Sequence, residues 1–252
     1  QFNLAHADDN MGRVPLEGWI QKSVAEALVK SAGYDLTALE KQALSREIKA
    51  IELRSRMDAS VQTQFVHSQS YNIGAVIPGS KRPDELFIYT AHWDHLGTDT
   101  SVADGEDGIY NGAVDNASGV AALLELARSF AALPRATERS VGFLAVTAEE
   151  SGLLGSEKYA QTPAWPLHLT VGGINMDAMS VYGPTHDVMV VGFGSSELED
   201  VLQEKAAAQN RTVVPEDHPE HGGYYRSDHF NFAKKGVPML YTESGSVHTE
   251  RE

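Results

Sequence analysis

Four short segments each end an apolar run on a metal-capable side chain or feed one into a helix. They are Tyr89-Thr90-Ala91-His92-Trp93-Asp94-His95, Ala113-Val114-Asp115-Asn116-Ala117-Ser118-Gly119, Val146-Thr147-Ala148-Glu149-Glu150 and Ile174-Asn175-Met176-Asp177. In an open α/β sheet the carboxyl ends of the strands converge on one crevice, which predicts that these residues share a site. Imidazole and carboxylate ligands without sulfur suit Zn²⁺, Mn²⁺ or Co²⁺ in a hydrolytic centre better than a structural zinc, which usually recruits Cys. The chain contains no Cys. Its carboxylates outnumber what one tetrahedral ion uses, and the surplus suggests two ions sharing a bridging carboxylate and a water.

Each segment has a plainer account beside the chemical one. His92 and Asp94 stand two apart at a strand end and so share a face. Asp94 can then accept the ring N–H that a metal-bound His92 leaves free, although either residue alone can simply cap the following turn. Asp115 or Asn116 can be an ordinary helix N-cap. Glu149 and Glu150 follow a buried run, where charge without a partner is costly. Adjacent side chains diverge at a strand end, so one can bind metal while the other faces water; the alternative is a first helical turn favoured by the dipole. Asp177 presents the same choice.

The elements that must position these residues follow from periodicity. Ile20, Val24, Ala27 and Leu28 recur at helical spacing over residues 16–31. Thr37 with Glu40 predicts a capping box for a second helix reaching residue 50. Residues 51–77 have β character and end at the Pro78-Gly79-Ser80 turn. Predicted strands at 86–90, 141–146, 171–176, 188–191 and 237–241 then alternate with helices at 117–130, 153–159, 197–209 and one ending over 230–235. This alternation predicts a three-layer α/β/α sandwich with a mixed, mostly parallel central sheet. Residues 1–50 read as an N-terminal tail and helical connector, and 51–252 as the catalytic domain.

With 252 residues and 42% hydrophobic content, the chain can bury a full core. Lys and Arg number 20 against 35 Asp and Glu, a net charge of −15 that disfavours nucleic acid and anionic membrane as partners. No apolar run approaches the ~20 residues that cross a bilayer. The first residues lack the basic and apolar regions of a signal peptide. Because residue 1 is Gln, the chain as written is expected to be processed, trimmed or a fragment. Separately, a secreted or periplasmic address is expected.

In this order the motifs resemble the zinc aminopeptidases of the M28 peptidase family over about residues 51–241. The matching segments include Thr90 to Gly97, the Asp115-Asn116-Ala117-Ser118-Gly119 loop, Glu149-Glu150, Gly152-Leu153-Leu154-Gly155-Ser156, Asn175-Met176-Asp177 and Ser227-Asp228-His229-Phe230. The resemblance implies the zinc-dependent exopeptidase fold and two Zn²⁺ per chain, with Co²⁺ or Mn²⁺ as substitutes. His92 and Asp177 would hold one ion, Glu150 and His248 the other, and Asp115 would bridge them. Asp94 would orient His92, and Glu149 would be the general base for a metal-bridging water. Substrates would be peptides with a free N-terminus. Tyr225, or Tyr224 in its place, would donate to the oxyanion. His95 and His229 are expected to serve packing and hydrogen bonding, and His218 and His221 to be solvated. Residues 15–57 also resemble the connector that follows a protease-associated insert in larger members. A glutaminyl cyclase-like acyltransferase and a carboxypeptidase remain open on the same fold, as does a non-catalytic binding module, against which the intact ligand positions argue.

Overall fold

The structure, a computed structural model, describes residues 2–5, 18–46, 48–62, 64, 66–103 and 105–248. It divides into two compact units, Ala5–Ser68 and Gln69–Glu252 with Gln1–Leu4.

In the smaller unit, α1 (Lys22–Ser31) and α2 (Leu36–Ala43) are bridged by Lys22 and Glu40 at 3.7 Å. The first helix starts later than its apolar period predicts. Gln21 is extended, and Ile20, ahead of it, is exposed. Asp35, not Thr37, caps α2: its carboxylate accepts the Ala38 N–H at 2.7 Å, and the helix ends at Ala43. The β character expected from residue 51 onward produces no strand among the described residues before Ile73. Met57, Val61 and Tyr71 are exposed there, and a strand without a partner has no ladder to stabilise it.

The larger unit carries a seven-stranded sheet in the order β1-β3-β2-β4-β7-β5-β6. The strands are β1 (Ile73–Ile77), β2 (Arg82–His92), β3 (Arg139–Val146), β4 (Thr170–Asn175), β5 (Asp187–Val190), β6 (Thr212–Pro215) and β7 (Met239–Ser244). β1–β3 and β5–β7 are antiparallel, and the other four pairings are parallel. The strands expected from the sequence do not include β6, a short edge strand ending on Pro215.

Alternation along the central strands sends side chains into two cores. Leu86 and Ile88 of β2 join Leu144 and Val146 of β3, packing with Tyr159 of α4 (Leu154–Gln161) and Phe232 of α6 (His229–Ala233). Ala91 of β2 joins Val141 and Phe143 on the other face, where Leu123, Val120 and Phe130 of α3 (Ala117–Ala131) cover them. Helices on both faces make the three layers. A further helix, α5 (Leu198–Ala207), packs near β6 and β7.

The order of connections matters for the site. From β2 the chain passes through α3 to β3 on one side of β2, then returns through α4 to β4 on the other side. That reversal opens a crevice at the carboxyl ends of β2, β3 and β4, where α/β sheets bind ligands.

Candidate metal centre

His92 is the last residue of β2, and its side chain is 1% exposed. Its Nδ1 lies 3.1 Å from the backbone oxygen of Asp94 and 3.7 Å from the Asp94 carboxylate. A carbonyl only accepts, so Nδ1 carries the proton and Nε2 is turned into the crevice. The expected partnership with Asp94 therefore runs through its main chain. Its carboxylate does different work, accepting the backbone N–H groups of Glu149 at 3.1 Å and Glu150 at 3.4 Å and so tying the turn after β3 to the end of β2.

Asp115 precedes α3 across a cis peptide bond to Asn116. Asn116 is the N-cap, its Oδ1 accepting the Gly119 N–H at 3.0 Å. The same buried amide reaches across the crevice: Oδ1 also accepts the Ala178 N–H at 3.2 Å, and Nδ2 donates to the Met176 carbonyl at 3.0 Å. Ser118 Oγ accepts the Met179 N–H at 3.0 Å. Gly119 has no alternative, because a Cβ there would stand 2.3 Å from Asn116 Oδ1 and 2.5 Å from the Met176 carbonyl. The Asp-Asn-Ala-Ser-Gly segment is thus a clamp fixing Asp115 relative to Asp177.

Asp177 follows β4 and completes the first group. Its Oδ1 is 3.0 Å from His92 Nε2, and Asp115 Oδ1 is 3.1 Å from the same nitrogen. Asp177 Oδ2 accepts from Ser227 Oγ at 2.6 Å; Asn175 Nδ2 donates to that hydroxyl at 2.7 Å, and Thr90 Oγ1 donates to Asn175 Oδ1 at 2.7 Å. Burial works against charge on Asp177, but hydrogen bonds from His92 and Ser227 hold its carboxyl below the ordinary value. Burial likewise opposes charge on His92, yet the hydrogen bond and charge of Asp177, with Glu149 and Asp228 beyond, push its pKa up to about 10. The pocket attracts positive charge. Donors 3.0–3.1 Å apart fit a small divalent ion, since a tetrahedral ion about 2.0–2.1 Å from each would set them roughly 3.3 Å apart.

A second group shares Asp115. His95, Asp115 and Glu150 each offer a donor, all within 4.8 Å of one another, and His95 Nδ1 stands 2.6 Å from Glu150 Oε1. His95 Nδ1, Asp115 Oδ1 and Glu150 Oε1 are buried atoms whose close polar contacts are poorly aligned as hydrogen bonds, an arrangement that a cation between them would satisfy better. His95, expected to serve packing and hydrogen bonding, lies edge-on to the Tyr110 ring at 6.5 Å and in addition stands among carboxylates with which it could hold an ion. The signal is its position directly after the His-x-Asp pair, on a turn leaving the same strand end. Glu149 belongs to neither group. It is buried, and burial, with the charges of Asp228, Asp177 and Glu150, raises its pKa to about 8 against the opposing pull of His92.

His248, expected as the fifth ligand, lies at the end of the described chain. It forms an isolated bridge with Thr185, and the Asp187 carboxylate accepts the N–H groups of Ser246 and Val247, both at 3.0 Å. Among the described residues it joins no group of metal-capable donors. Asp228, beyond the expected set, is fully buried, and burial pushes its acid up to about 7. His229 packs between the rings of Tyr224 at 4.9 Å and Tyr241 at 4.8 Å, and burial lowers its pKa to about 4. The Tyr224 ring thus packs on His229, whereas Tyr225 is exposed.

Residues 72–251 match the sequence profile of peptidase family M28. A probable zinc metalloprotease of Pyricularia oryzae is 41% identical over 91 residues, which is 36% of this chain and 17% of that protein. An aminopeptidase from Aneurinibacillus sp. strain AM-1 superposes with a TM-score of 0.52 at 25% identity, covering 70% of this chain and 40% of that one. The Porphyromonas gingivalis glutaminyl cyclase gives a TM-score of 0.52 at 22% identity over 71% of this chain and 65% of that one, a likeness of fold.

Replacing Asn116 with Ala leaves every candidate ligand in place but removes the cap and both ties to the end of β4. Metal affinity, measured by competition with a chromogenic chelator, is expected to fall about 10–100-fold, with thermal stability lowered as well. Wild-type affinity in Asn116→Ala would contradict the clamp.

Proposed function

Because the chain belongs to peptidase family M28, we propose that it is a zinc exopeptidase that removes N-terminal residues from peptides. The observation that supports this most is the pair of donor groups joined by Asp115, with a buried carboxylate, Glu149, beside them and outside both.

His92, Asp115 and Asp177 would hold one zinc ion, and Asp115 and Glu150 a second, with His95 supplying the nitrogen that stands closest to Glu150. Zinc bound there would polarise the scissile carbonyl and ease loss of a proton from water. The chain's own residues do the rest. Glu149 accepts the water proton on its carboxylate and delivers it to the departing amine. Asp94 positions rather than reacts: its carbonyl fixes the His92 ring, and its carboxylate fixes the backbone that presents Glu149 and Glu150.

Glu149→Gln is expected to keep its metal while turnover drops by roughly two to four orders of magnitude. Glu150→Gln is expected to lose metal, and exchanged phenotypes would reverse the two assignments. The second ion's nitrogen is tested by measuring the zinc content of His95→Ala and His248→Ala. Loss of about one ion from His95→Ala alone supports His95 as the ligand; loss from His248→Ala alone restores the ligand implied by the sequence.

An aminoacyl anilide with a free amine is expected to be cleaved and its N-acetylated counterpart left intact. Equal rates on the two would reject recognition of a free N-terminus. Cyclisation of an N-terminal Gln peptide without hydrolysis would favour the acyl transfer of the cyclase that shares this fold.

A further inference from the structure

The segment His218-Pro219-Glu220-His221-Gly222 takes no part in the centre described above. It folds as a 3₁₀ turn over Pro219–His221, in which the His221 N–H donates to the His218 carbonyl at 2.9 Å and the Gly222 N–H to the Pro219 carbonyl at 3.0 Å. A 3₁₀ turn eclipses side chains three residues apart. The two imidazoles consequently lie face to face, with centroids 4.9 Å apart and planes 23° from parallel. Pro219 presets the first position of the turn, and Gly222, at a φ of 74°, closes it in the left-handed region. Glu220 points back to the same side, its Oε1 3.0 Å from His218 Nδ1.

The turn is anchored at both flanks. Arg226 Nη2 donates to the His221 carbonyl at 3.2 Å, and Glu216 Oε1 accepts the Gly192 N–H at 2.8 Å. One donor each from His218, Glu220 and His221 lies within 4.8 Å of the others, and all three side chains are exposed. Two imidazoles and one carboxylate with open positions for water suit a borderline transition ion rather than Ca²⁺ or Mg²⁺.

We propose that His218, Glu220 and His221 form a separate surface site for Zn²⁺ or a similar transition metal, distinct from the donors around Asp115. An ion there would replace the His218–Glu220 hydrogen bond and join both ends of the turn. Tyr224, which packs on His229, lies three residues beyond it, so the ion would also stiffen the approach to Ser227.

The test uses the metal-loaded protein, freed of excess metal by gel filtration and then titrated with Zn²⁺ by calorimetry. One further ion per chain is expected, with affinity at least tenfold weaker in His221→Ala and in His218→Ala, and slower amide exchange over residues 216–226 in the wild type only. These exposed replacements leave the core untouched, so folding does not confound them. No uptake beyond the loaded metal, or uptake and exchange unchanged in both variants, would overturn the site.

Discussion

Carboxylates crowded together and partly withdrawn from water at one end of the sheet need positive charge, and the site is organised around that requirement. Asp115, Glu149, Glu150, Asp177 and Asp228 gather at the ends of β2, β3 and β4, with His92 and His95 between them. Without compensation, such charges shift their acids upward or recruit protons. Both responses are visible here: burial raises Glu149 and Asp228, and the carboxylates drive His92 toward its cationic form. A divalent ion answers the same need more completely, because it satisfies several lone pairs at once.

Holding like charges together takes a rigid frame, and the polar contacts beneath the site supply it. Asn116 ties the start of α3 to the end of β4, Asp94 ties the turn after β3 to the end of β2, and Thr90, Asn175 and Ser227 form a chain that ends on Asp177. Each tie joins segments far apart in sequence. The two apolar cores on either face of β2 and β3 keep these strand ends in register.

The sheet and the four site segments are legible in the sequence because each strand of the centre is a short apolar run ending on a polar residue, a pattern that survives without knowledge of pairing. β6 is not legible, since an edge strand pairing on one side can end on Pro215. Residues 51–72 mislead because alternating apolar residues mark a strand only when a neighbour pairs with them, and β1 finds β3 only from Ile73. Within the site, the resemblance to a family identifies ligand types but not geometry. The nearness of His95 to Glu150 depends on how the turn after β2 folds, which spacing alone does not reveal. Asp94 is expected to act on His92 through its carboxylate, whereas its carbonyl is the nearer partner. His218 and His221 read as solvated, which they are; only the 3₁₀ turn brings them face to face.

The dinuclear arrangement bridged by Asp115 is tested most directly by anomalous diffraction at the zinc edge from crystals of the zinc-loaded protein. Two peaks are expected, one among His92, Asp115 and Asp177, the other against Asp115 and Glu150, with Glu149 touching neither. A single peak in a fully active protein, or a peak ligated by Glu149 in place of Glu150, would contradict it.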